Sequence, residues 1–285
     1  MTRFARLASL LLASSLLPLG LAGCDAENDT HPLPPYEPAG PEPAACRPNL
    51  DGRIDAAEAR PTLGVPVSFR VSPAGATRTV DQTGTADETG AITWDWSADA
   101  DDQGIARMAE PLAGKWYESS FPAAGAFVAD VDAAGALEAV YTHEAGALRL
   151  HGFASSQASP PEGRTLLVYG PPADVLRFPL EPGLSFTSSA TVQNGEYEGV
   201  PFAGTYTYAV EVDAIGRMLL PDLALAEVHR MRTRVTVQPL FGYPTTRRQT
   251  MWMFECFGEV ARATSAPNEP DEDFTEAEEV RRLAL

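Results

Sequence analysis

The sequence predicts a mainly β protein, an antiparallel β-sandwich or a meander curling into a half-barrel, and three features predict it. Apolar and polar residues alternate at period two in residues 65–71, 92–96 and 205–213, the pattern of half-buried strands. The triplets Ala124-Gly125-Ala126, Ala134-Gly135-Ala136 and Ala145-Gly146-Ala147 recur at ten- and eleven-residue steps, each glycine suited to a turn and each triplet followed by an apolar residue that opens a strand. Asn194-Gly195, after the strand expected at 185–193, is the strongest two-residue hairpin signal. With 285 residues and 44% hydrophobic content the chain suffices for one large β domain or two packed β subdomains, bounded as 62–131 and 132–265.

Acids outnumber bases 39 to 21, a formal charge of −18. That balance excludes a nucleic-acid partner and argues against adsorption to anionic headgroups, since both need a basic surface. Lys115 is the only lysine, which leaves little room for lysine-based chemistry.

Taken in order, residues 1–23 read as a signal peptide. Arg3 and Arg6 form its charged end, and the apolar run 7–19 is too short to span a bilayer. It closes on Leu21-Ala22-Gly23-Cys24, which resembles the lipobox of bacterial lipoproteins. The resemblance implies a diacylglycerol on the Cys24 sulfur, cleavage just before it, and an acylated amino terminus. The chain would then be an extracytoplasmic cell-envelope protein of a Gram-negative bacterium, held at the outer or inner membrane through its lipid. Several acyl chains, at about 0.8 kcal/mol per buried methylene, make such an anchor stable. Losing Arg3 and Arg6 with a leader that holds no acid takes the charge from −18 to −20.

Residues 24–45 are the lipidated cysteine and a linker carrying Pro32, Pro34, Pro35, Pro38, Pro41 and Pro43. At about 3.1 Å per residue in an extended polyproline form, it reaches roughly 60 Å. With Cys24 assigned to the lipid, Cys46 and Cys256 remain. An extracytoplasmic compartment permits a disulfide between them, which is the expectation, two buried free thiols being the alternative.

Residues 46–61 form a turn segment. Asn49, Asp51, Asp55 and Glu58, with Gly52 at the turn and Ile54 after it, resemble the later part of an EF-hand loop, which implies oxygens wrapped around Ca2+. Arg47 stands at that loop's first position and opposes a cation, so a turn at Asp51-Gly52 followed by a short helix is the alternative. A second acidic run, Asp99-Ala100-Asp101-Asp102-Gln103-Gly104 with Glu110 beyond it, reads as a calcium loop or as a solvated turn.

Gly64-Val65-Pro66-Val67-Ser68-Phe69, Trp94-Asp95-Trp96 and residues 121–131 resemble PKD-type immunoglobulin-like domains, which implies a sandwich for 62–131. Residues 124–260 resemble β-rich envelope lipoproteins of Gram-negative bacteria, a resemblance that brings no assigned activity.

Farther on, Arg230, Arg232 and Arg234 lie on one face of a strand. They make either a cationic strip for an anionic ligand or ordinary cross-strand pairs with Glu211, Asp213, Glu255 and Glu259. Trp252, Phe254 and Cys256 share one face of another strand, on the core side. In the acidic tail 266–285, Thr275 with Glu278 is a capping box and Glu278 with Arg282 an i,i+4 pair, so a short terminal helix or a frayed end is expected.

No catalytic arrangement stands out. His31, His143, His151 and His229 are scattered, and there is no nucleophile elbow, Ser-x-x-Lys pair or phosphate-binding glycine loop. The expected function is a non-catalytic binding or structural module, not an enzyme and without a cofactor other than Ca2+, its protein or small-ligand partner unnamed. One alternative is a periplasmic carrier with an apolar cavity lined by Tyr206, Tyr208, Trp252 and Phe254. The other is a calcium-dependent adhesin.

Overall fold

The computed structural model describes residues 46–285, and one 15-stranded sheet organises them. The expected signal peptide, lipidated Cys24 and linker lie outside the described residues. β1 (Pro66–Val71) carries the alternation of Val67, Phe69 and Val71, and the short β2 (Arg78–Thr79), β3 (Thr85–Ala86) and β4 (Ile92–Asp95) follow it. β5 (Gln103–Met108) and β6 (Glu110–Pro111) are separated by one residue. The alanine-glycine repeats yield the meander β7 (Phe127–Asp130), β8 (Leu137–His143) and β9 (Ala147–Ser155), with Gly135 at φ +67° in the first hairpin. Long strands come next: β10 (Leu166–Arg177), β11 (Ser185–Tyr197), β12 (Val200–Leu220), β13 (Leu223–Pro239) and β14 (Thr245–Phe254). β15 (Gly258–Thr264), β16 (Glu276–Ala277) and β17 (Glu279–Leu283) end the chain.

Hydrogen bonding runs β5-β1-β17-β15-β14-β13-β12-β11-β10-β9-β8-β7-β6. Because β5 pairs with β1 and β6 with β7, both edges of the sheet meet on one stretch of chain, and the sheet nearly closes into a barrel. Closure removes the exposed edges that an open sheet would offer to other strands. All neighbours are antiparallel except β4, which runs parallel to the end of β12. The stretches 62–131 and 132–265 contribute to this same sheet, joined through the β7–β8 pairing.

The expected terminal helix is not formed. Residues 276–277 pair with β2, and β17 lies between β1 and β15. Phe274, Ala277, Val280 and Leu283 are buried there, and the two strand edges offer backbone partners that a helix would leave unpaired. Nonlocal pairing thus overrides the local capping pattern. The hairpin turn is displaced as well: Asn194-Gly195 lies inside β11, and the chain reverses at Glu198 and Gly199, at φ +49° and +76°. Gly195 sits instead at a register shift, where a Cβ would come within 2.5 Å of Val192.

The sheet has an inner and an outer face. Tyr169 on β10 and Tyr206 on β12 stand 5.1 Å apart across the intervening β11, which contributes only Ala190 and Val192 at that level. Such an approach over a skipped strand marks the concave, inner side. On the outer side, Trp252 packs at 4.5 Å from Trp96 and 5.9 Å from Trp94, which belong to the segment covering that face.

Candidate functional site

The inner face divides into two walls. One is aromatic: Phe153 contacts Tyr169 and Tyr206, Phe202 contacts Tyr206, and the Tyr169 and Tyr208 hydroxyls are 2.7 Å apart. Burial drives the phenol of Tyr206 up to about 12 and those of Tyr169 and Tyr208 higher still, so these hydroxyls stay neutral and act as hydrogen-bonding groups rather than bases.

The facing wall is charged. In register from β14 to β1, Met251, Arg262, Arg281 and Val71 share the inner face. Arg262 bonds Glu279 at 2.8 Å and Glu259 at 3.4 Å, and Arg281 lies 3.3 Å from Glu279 and 3.7 Å from Glu259. Two cations facing two carboxylates leave this wall neutral. Burial works to lower the Arg262 pKa, but Glu259 and Glu279 outweigh it and raise it; for Arg281, burial and the neighbouring Arg262 prevail and lower it. Tyr141, from β8 on the opposite wall, is pushed up to about 12 by burial despite the nearby Arg262. The inward-facing Tyr141, Phe153, Tyr206, Val235 and Met251 pack against the core cluster but remain only half-buried.

The four aromatic side chains expected to line one cavity do not converge. Tyr206 and Tyr208 belong to the inner cluster, whereas Trp252 and Phe254 belong to the cluster of Trp94 and Trp96. Of the four, only Tyr206 keeps appreciable exposure.

The 46–61 segment is fastened to the turn after β14. Cys46 and Cys256 form a disulfide with a Cα–Cα separation of 5.4 Å. The buried Glu255 carboxylate accepts the backbone N–H groups of Asn49 and Leu50 at 2.5 and 2.9 Å, and Ile54 exchanges both backbone hydrogen bonds with Leu180. The oxygens that would face a cation are engaged locally. Asn49 Oδ1 accepts from the Asp51 N–H, Asp51 from that of Arg53, and Glu58 from that of Asp55, while Arg53 pairs with Asp51 and Asp55. In the second acidic run, Asp102 is held by Arg78 and Arg282, Glu110 by Lys115, and Gln103 begins β5. Among the described residues no group of three His, Cys, Asp or Glu side chains is placed to share a metal ion.

The arginine row on β13 is dispersed among partners. Arg230 forms a two-point bridge to Asp213, and Arg232 reaches Asp213, Glu272 and Asp273. Glu255 and Glu259, proposed as cross-strand partners, serve the segments described above instead. Arg234 lies opposite Arg248, whose guanidinium bonds the carbonyls of Glu269 and Pro270. Both border an outer-face cleft of about 360 Å³ that also holds Glu211 and Glu272, so its charge is mixed.

Sequence reading missed the hairpin tips. The β13–β14 loop exposes Leu240, Phe241 and Tyr243 at 68, 88 and 92%, and the neighbouring β11–β12 tip exposes Tyr197 and Val200 at 46 and 63%. The Leu240 N–H bonds the Ala203 carbonyl at 2.8 Å and so holds the two tips side by side. The signal was present in the run Leu240-Phe241-Gly242-Tyr243-Pro244, in which large apolar residues flank two turn formers.

No family model, curated protein or solved structure matches the chain.

Proposed function

We propose that this chain is a lipid-anchored cell-envelope protein acting as a non-catalytic binding module. The nearly closed sheet is the rigid scaffold, and its loop tips make the contacts. The observation that carries the reading is the contrast between a packed body, with Tyr208, Trp252 and Phe254 buried, and large apolar side chains exposed together on two adjoining tips. Loops on a rigid scaffold are where binding residues concentrate. Lipidation at Cys24 would supply the membrane attachment; among the described residues no helix is long and apolar enough to cross a membrane. Detergent phase partitioning with radiolabelled palmitate tests the anchor. The full chain is expected in the detergent phase with label, and Cys24→Ser in the aqueous phase without it; equal partitioning of the two sinks the anchored reading.

A second reading, a carrier of an apolar ligand, draws support from the half-buried inner-face residues Phe153, Tyr206, Val235 and Met251. A fluorescent fatty acid that binds saturably to the full chain, and no longer binds when Val235→Trp fills the interior, would favour it over a packed module. The calcium-dependent adhesin reading predicts a melting temperature that rises with millimolar Ca2+; a flat titration removes it.

A further inference from the structure

The two exposed hairpin tips carry more than a generic contact surface. We infer that they dip into the interfacial layer of a lipid bilayer, with Phe241 and Tyr243 as the inserted rings and Leu240, Val200 and Tyr197 around them. This builds on the reading that the tips make the contacts, but it does not depend on lipid at Cys24.

Two observations select a bilayer as the occupant. The first is charge. Residues 199–210 and 235–246 contain no charged side chain, in a chain that is 21% charged overall. Glu198 lies in the β11–β12 turn beside Tyr197, with Glu162-Gly163-Arg164 packed against that turn, whereas on the second hairpin charge resumes only at Arg234 and Arg247. The outward residues of the intervening strand ends are Thr205, Thr207, Thr236 and Thr246, which hydrogen-bond without the desolvation cost of an ion. The charge-free, aromatic β13–β14 tip matches the headgroup and upper acyl region, where aromatic side chains are enriched and an apolar element sinks about 5–10 Å.

The second is shape. These side chains stand on projecting turns rather than in a groove, and Gly242 at φ +114° turns the chain between Phe241 and Tyr243. The tips are nevertheless fixed in place, by the Leu240 to Ala203 hydrogen bond and by Asn268, whose side chain and backbone both bond Thr246 at the start of β14. A held, convex apolar edge suits a deformable medium.

The position of the anchor is compatible. Cys256, bonded to Cys46, lies just beyond the end of β14 opposite the tip, and the ten residues of β14 span about 33 Å. The roughly 60 Å reach expected of the linker exceeds that span.

The test places a reporter at the tip of the full chain. Trp94, Trp96 and Trp252 are buried and Trp116 is half-buried, so Phe241→Trp adds an emission from a water-exposed ring. On addition of phosphatidylcholine vesicles that emission is expected to shift to the blue. Bromine placed high on the acyl chains should quench it more than bromine placed deep, and added salt should leave both effects unchanged. Phe241→Ser and Tyr243→Ser, each at an exposed site where folding is unaffected, should each weaken partitioning to the vesicles by about tenfold, the equivalent of losing one buried aromatic side chain. The inference is overturned if the Phe241→Trp emission keeps its water-exposed position on vesicles that carry the protein. It is equally overturned if the shift occurs without vesicles and grows with protein concentration, which assigns the tips to a second copy. A shift seen only with anionic vesicles and abolished by salt also defeats it, as electrostatic adsorption without insertion.

Discussion

Glu255 shows how a residue read as a cross-strand ion-pair partner takes a different task. Its carboxylate is buried and receives the N–H groups of Asn49 and Leu50, which clamps the first described segment beside the disulfide. Hydrogen bonds to a charged acceptor are the stronger kind, so Glu255→Ala is expected to cost about 2–3 kcal/mol in thermal or urea unfolding. Glu255→Gln keeps an acceptor and should lose less; no loss at all in Glu255→Gln would mean that the carboxylate's charge plays no part. The histidines give the pH dependence. Burial first, and Arg60 second, hold the His143 pKa below 6.5, and burial does the same for His151. Each folded imidazole therefore resists a proton that the unfolded chain accepts. Their contribution to stability is complete above pH 6.5 and declines as the pH falls toward the lowered folded values. The melting temperature should drop between roughly pH 7 and 5, and His143→Gln with His151→Gln should flatten that slope. An unchanged slope in the double variant would place the effect elsewhere.

At the level of strands and turns, glycines that look alike in sequence differ sharply in what surrounds them. Gly152 in β9 adopts φ +138°, and a Cβ there would lie 1.9 Å from the Leu167 carbonyl oxygen on β10. Gly146, in the third alanine-glycine repeat, has ordinary φ and open space around it. Gly152→Ala is thus expected to destabilise by about 3 kcal/mol or more, and Gly146→Ala by under about 1 kcal/mol, as read by chemical denaturation. Similar losses for the two would contradict the close packing of β9 on β10. The same contrast explains which elements could be read from sequence. Alternation located β1, β4, β12 and β13, and the repeats located the β7–β9 meander, because period two and turn glycines are local signals. The Asn194-Gly195 turn was misplaced because the register of β11 against β12 is set by packing of residues distant in sequence, with Gly195 taken up by the bulge beside Val192. The tail differs for a similar reason: Thr275 and Glu278 carry a helix-start pattern, but Arg281 and Leu283 pair with Val71 and Phe69, some two hundred residues earlier. The apolar tips were legible as composition; their exposure was not, since no local pattern distinguishes a Phe on a turn from a Phe in a core.

For the whole molecule, the decisive feature is that the sheet is completed by the end of the chain. β17 supplies the only hydrogen-bonded link between β1 and β15 in the strand order, and it carries Arg281 to the inner ion cluster and Arg282 to Asp102 and the carbonyls of Trp96 and Ala98. Removing it would expose two strand edges together and leave Glu259 without Arg281 and Asp102 without Arg282 in a buried setting, where an undercompensated charge is costly. A chain ending after Glu278 is therefore expected to lose its cooperative unfolding transition, whereas removing the exposed Leu285 alone should leave the melting temperature unchanged. Calorimetry of the two truncations beside the full chain distinguishes this from a peripheral tail. If the chain ending at Glu278 still melts in one sharp transition near the parent temperature, β17 is an attachment to a sheet that holds without it. If the transition is lost, neither the packing of the aromatic wall nor the tips projecting from β12 and β13 is independent of β17.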